Sequence, residues 1–142
     1  MNRHETILTR LWRIEHPVTG LGPLEHLGRL RRLAELDDAM RADGIEKLSH
    51  IEPVAMPNIP CVNSRIEWLR KRRFSHADRQ ALIRYFGPTA TRMIADEGFL
   101  LVTIDVPEDA RWIDSTGQAC HIQERSIVVE KIRLSDALNE PT

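Results

Sequence analysis

Phe99-Leu100-Leu101-Val102-Thr103-Ile104-Asp105-Val106, stopped by Pro107, is the stretch that decides the fold class. It is rich in aliphatic and β-branched residues and too short for a buried helix, so it reads as a strand. The chain after it keeps that character. Arg111 to Asp114 is a short strand, Ser115-Thr116-Gly117-Gln118 a turn, and Ala119 to Ile122 pairs back. Ser126 to Leu134 closes the series, with Ile127, Val129 and Ile132 marking its buried face. Residues 135–142 are polar and read as a frayed tail.

Upstream, Ile7 to Glu15 is a first strand built on Leu11-Trp12-Arg13-Ile14-Glu15. His16 to Pro23 then holds two Pro and two Gly and makes a turn-rich loop. Leu24 to Ala42 reads as one helix: Leu24, Leu27, Leu30, Leu33, Leu36 and Met40 recur at helical spacing, with Gly44 at the C′ position. Pro53, Pro57 and Pro60 keep residues 45–60 irregular, a segment placed to cover a cleft. A second helix starts at Ser64, whose capping box pairs it with Glu67, and runs to about Arg73. Ser75 caps a third, ended by Gly87-Pro88, and Thr89 to Asp96 is a fourth, closed by Gly98. One strand, then helices, then several strands is an α+β order, with a mixed or antiparallel sheet and one domain over residues 1–134.

Composition narrows the function classes. A chain of 142 residues with 42% apolar and 29% charged residues is one globular domain, which excludes wholesale disorder. A net charge of -1 excludes a uniformly basic nucleic-acid binder but leaves room for a local basic patch. No apolar run approaches the roughly 18 residues that span a bilayer, and residues 1–13 lack a secretory core. The expected setting is the cytoplasm of a bacterial or phage-infected cell. Cys61 and Cys120 read as buried, reduced thiols. The six histidines form no H-E-x-x-H or H-x-x-x-H pair, so no metal is expected. Phosphate-loop, dinucleotide-loop and nucleophile-elbow motifs are absent from the sequence.

Three constellations remain. Arg13, beside His16, Gly20 and Gly22, suits a phosphate that approaches the loop backbone; its plainer reading is an ion pair with Glu15. Arg65, Arg70, Lys71, Arg72 and Arg73 give a net +4 over nine residues, fit for nucleic acid or an acidic protein, or simply the solvated face of a helix. Glu124, entering the last strand, can stabilise an oxocarbenium ion, or is an ordinary hairpin-end charge.

The phrase Trp12-Arg13-Ile14-Glu15-His16-Pro17-Val18-Thr19-Gly20-Leu21-Gly22-Pro23 resembles the opening of small phage and proteobacterial proteins. The three-part layout also resembles the ADP-ribosyltransferase superfamily. That resemblance implies NAD as cofactor and catalytic roles for Arg13, Ser64 and Glu124. Arg13 would grip the dinucleotide phosphates with His16, Gly20 and Gly22, Ser64 would orient the site, and Glu124 would steer transfer to a protein or nucleic-acid acceptor. The alternative is a non-catalytic, phage-encoded inhibitor of a host defence complex, docking through the basic helix 65–73. A structural role in an oligomeric assembly is a third reading.

Overall fold

The computed structural model describes residues 7–45, 61, 63 and 72–139. At its centre β1 (Leu8–Glu15) and β3 (Leu100–Pro107) pair antiparallel, in unbroken register from Leu8 opposite Pro107 to Glu15 opposite Leu100. Side chains alternate between the two faces. Ile14 and Leu101 join the cluster on one face, while Leu11, Val102, Ile104 and Val106 join a second cluster on the other. Burial on both faces is why Leu100 to Val106 reads as a nearly continuous apolar run.

Four further strands complete the sheet: β2 (Arg72–His76), β4 (Arg111–Ile113), β5 (Gln118–Ile122) and β6 (Ile127–Arg133). The order is β4-β5-β2-β1-β3-β6, and every pairing is antiparallel. The α+β class is therefore as the sequence indicated. The helices are α1 (Pro23–Arg29), α2 (Leu33–Ala42), α3 (Arg79–Phe86), α4 (Pro88–Asp96) and α5 (Leu134–Leu138). Leu27, Leu36, Met40, Leu82, Ile94, Phe99 and Leu134 pack from them and their flanks against Ile14 and Leu101. Each such side chain contributes about 1.5–3 kcal/mol relative to exposure. Asp43, just past α2, accepts hydrogen bonds from the Thr89 N–H at 2.6 Å and the Thr89 hydroxyl at 3.0 Å, and so caps α4 from another element.

In its helices and strands the structure departs from the sequence reading in four places, and in the burial of Cys61 in a fifth. The expected helix Leu24 to Ala42 is two helices. The Arg32 N–H reaches the Leu27 carbonyl and the Arg31 N–H the Gly28 carbonyl, with Arg31 at φ 59. That is a Schellman stop with Arg where Gly is usual. It turns Leu30 and Leu33 outward, 50% and 40% exposed, although both fit the apolar stripe. Second, Arg72 to His76 is a strand, so the basic helix does not extend to Arg73 and Ser75 is no helix cap. Asp78 caps α3 instead, accepting from the Ala81 N–H at 2.6 Å. Third, Ile127 and Val129 are exposed, not buried, because β6 is a terminal strand. Fourth, the tail opens with α5, whose Leu134, Ala137 and Leu138 pack on the core. Cys120 is buried as expected and Cys61 is exposed.

Arg31→Gly should raise stability by about 0.5 kcal/mol, since left-handed backbone is unfavourable for any residue but Gly, while Gly loses more entropy on folding. Urea denaturation checks this; a lower midpoint would show that the Arg31 side chain supports the turn.

Candidate functional site

On the helical face a polar row crosses the sheet. Trp12 stands opposite His76, and His76 opposite Gln118. Asp114 comes next, its N–H donating to the Gln118 carbonyl at 3.0 Å. Helix α3 lies over this row. Its Ala81, Arg84 and Tyr85, with His76, Thr116 and Gln118, line an open cleft of about 210 Å³. That is below the roughly 300–1,000 Å³ of ordinary small-molecule sites.

Local chemistry fixes the walls. Asp114 Oδ1 accepts from the Thr116 N–H at 2.8 Å, the Thr116 hydroxyl at 2.6 Å and the Gln118 N–H at 3.1 Å, an Asx-type turn. Gly117 has φ +91, and a Cβ on it would lie 2.8 Å from that of Ala81. Its carbonyl accepts the Ala77 N–H at 2.7 Å. Only Gly permits both the backbone angle and the approach of the turn to α3.

His76 is 7% exposed and meets Tyr85 and Phe86 edge-on, at 5.1 and 6.4 Å between ring centres. Its Nδ1 is buried with no hydrogen-bond partner, and so is Asp114 Oδ2. Burial pushes the His76 imidazole down to about 4, against the pull of Asp114 and then Asp78. The ring is therefore neutral at pH 7. Burial likewise pushes the Tyr85 phenol up to about 12, opposed by its hydrogen bond with Gln118. A buried polar atom without a partner costs about 1–3 kcal/mol, and such atoms concentrate where a structure serves function.

The opposite face carries a second buried polar group. Arg13 is 6% exposed; Nη1 donates to the Phe74 carbonyl at 3.1 Å and Nη2 to the Gly20 carbonyl at 3.4 Å. Its Nε forms an ion pair with Glu15 Oε2 at 2.8 Å, the pairing that the plainer sequence reading expected. Burial lowers the Arg13 pKa, with Glu15 acting against it and Arg73 with it. Nearby, Ser75 Oγ and His121 Nδ1 are 3.0 Å apart, both fully enclosed. Burial, then Arg13 and Arg73, push His121 down to about 3.

These placements bear on the residues expected from sequence. Arg13 faces the protein's own carbonyls. The 16–23 loop folds back on it: His16 Nδ1 accepts from the Val18 and Thr19 N–H groups, and the ring stacks on His26 at 4.0 Å. Gly20 supplies the carbonyl that Arg13 holds, and Gly22 immediately precedes α1. Glu124 sits exposed in the short turn Gln123–Arg125 after β5, and the charges that act on Arg13 do not include it. Ser64, Arg65, Arg70 and Lys71 lie outside the described residues, as does the segment 46–60. Arg72 and Arg73 belong to an interior strand of the sheet. No helix among the described residues is long and apolar enough to cross a membrane, and no group of three or more His, Cys, Asp or Glu among them is placed to hold a metal.

The cleft residues were not among the sequence candidates. Asp114-Ser115-Thr116-Gly117 announced a turn, but its apposition to α3 depends on a strand hidden in Arg72-Arg73-Phe74-Ser75-His76. Comparison with protein-family models, characterised proteins and solved structures gives no match.

Because His76 and His121 have folded-state values below that of a free imidazole, the unfolded chain binds more protons below about pH 6.5. Their contribution is complete above that pH and is lost as the pH falls towards 4 and 3. His76 alone should remove roughly 3 kcal/mol between pH 6.5 and 4. Urea titrations across this range check the sign; stability rising on acidification would contradict it, and His76→Asn should flatten the slope.

Proposed function

We propose that this protein is a small-ligand binding domain whose site is the cleft between α3 and the β4–β5 turn. The observation that carries the reading is His76, a neutral, deeply buried imidazole lining an open cleft, with an unpartnered Nδ1. Tyr85, Gln118 and Thr116 add neutral hydrogen-bonding groups, and Ala81 adds an apolar wall. Such a mixture of an apolar wall and a few fixed polar groups is what small-molecule sites share. A volume of about 210 Å³ equals about seven waters of liquid, enough for one ring with a polar substituent. It does not enclose a dinucleotide. Arg13 and Glu124 do not line it, so an NAD-dependent transferase draws no support from this cleft. A partner interface on residues 65–73 draws none from the interior position of β2.

The test is thermal unfolding of the purified chain with compact carboxylates, phosphates, monosaccharides, nicotinamide and NAD. At least one compact probe should raise the melting temperature; a ligand at a hundred times its Kd adds about 2.7 kcal/mol. His76→Phe, which keeps the aromatic ring and removes both of its nitrogens, should abolish that gain while remaining folded by circular dichroism. The reading fails if no compact probe acts, or if the gain survives both His76→Phe and Gln118→Leu. Stabilisation by NAD alone, retained in His76→Phe and lost in Arg13→Ala, would transfer the function to the opposite face.

A further inference from the structure

We infer that the cleft takes a compact oxyanion, a ligand whose carboxylate or phosphoryl group meets Arg84. This rests on the ligand-binding reading above and adds the charge of the ligand to it.

Of the six residues that line the cleft, Arg84 alone carries a formal charge at neutral pH. His76 is held neutral by burial, and Tyr85, Thr116 and Gln118 are uncharged donors and acceptors. No ion pair engages Arg84 among the described residues, and its side chain is exposed on the last turn of α3. Two acids lie near the cleft and act on His76, and Asp114 keeps a buried Oδ2 without a hydrogen-bond partner, but both carboxylates are otherwise engaged in local turns and caps. Asp114 gives its Oδ1 to three donors of its own turn, and Asp78 caps α3 through the Ala81 N–H. Neither lines the cleft. A cationic ligand would be repelled by Arg84, and a neutral one would gain no charge-assisted contact from it. An oxyanion receives charge-assisted hydrogen bonds from Arg84, with hydroxyl and amide groups of the same wall within the cleft. The buried floor, His76 and the faces of Tyr85 and Ala81, is left to hold the body of the ligand.

Arg84 also suits the end of a helix, where a cation complements the terminal carbonyls. A purely structural role would leave ligand selectivity untouched, so selectivity is the readout. Three probes of similar size separate the cases: benzoate, phenyl phosphate and the neutral benzamide. Calorimetric titration of the full chain should show benzoate or phenyl phosphate preferred over benzamide by about tenfold or more. Which of the two binds tighter identifies the oxyanion. Arg84→Gln should erase the preference, bringing the anions and benzamide within about twofold of one another, and Arg84→Lys should keep part of it. The preference should shrink as salt rises, because Arg84 is exposed. If benzamide matches the anions and Arg84→Gln changes nothing, the oxyanion assignment is overturned and the ligand-binding cleft stands. If none of the three probes binds and the wider panel also fails, the cleft reading itself falls and this inference with it.

Discussion

A guanidinium inside a sheet has to find acceptors. Arg13 is buried beside β2, and a guanidinium stays charged in a protein interior. Its solution is to donate across the seam between β1 and β2, to the Phe74 carbonyl, and back to the loop that follows its own strand, at Gly20. Among the described residues the β1–β2 seam has a single register pair, Trp12 with His76, whereas β2 and β5 share five. Arg13 therefore does part of the joining that a backbone ladder does elsewhere. On its β1 side, the position of β2, and with it His76 on the other face, is held in part by that cation. Removing one partner of such an arrangement leaves a buried charge without compensation, a larger penalty than the net value of the pair.

The two faces of β2 divide the labour. Ser75 and His121 form an enclosed polar contact on one side, where no solvent reaches. His76, one residue further, lines open space on the other. Both imidazoles are neutral for the same reason, burial, yet only His76 lines the cleft. Strand alternation converts adjacent residues into a structural histidine contact and a candidate binding group.

The sequence carried the central architecture because it sits in local patterns. The run Phe99 to Val106, the Pro and Gly of the 16–23 loop, and Gly44 and Gly98 after their helices are each readable within a few residues. β2 was not, since Arg72-Arg73-Phe74-Ser75-His76 lacks an apolar alternation and gains its strand state from β5 and β1. The break at Arg31 was hidden because Arg occupies a position where only Gly would have marked the stop. Arg13 was legible as an unusual residue but not as an internal tie, because its acceptors lie on Phe74 and Gly20. The cleft was the least legible part: Gln118 is brought to His76 by pairing between strands over forty residues apart in the chain.

One detail at the margin of the sheet has a colloidal meaning. Between Thr103 and Ile104 the β3–β6 register slips, so that Glu130 and Val128 find partners and Val129 does not. The terminal strand bears three consecutive exposed aliphatics, Ile127, Val128 and Val129, in a chain of nearly zero net charge. A flat strand of that kind invites a second sheet to dock edge to edge. The bulge breaks the period of outward-facing amide and carbonyl groups midway, and Glu130, Lys131 and Arg133 follow directly. The slip interrupts the row of backbone groups at Val129, and a broken row of that kind works against edge-to-edge docking at this edge of the sheet.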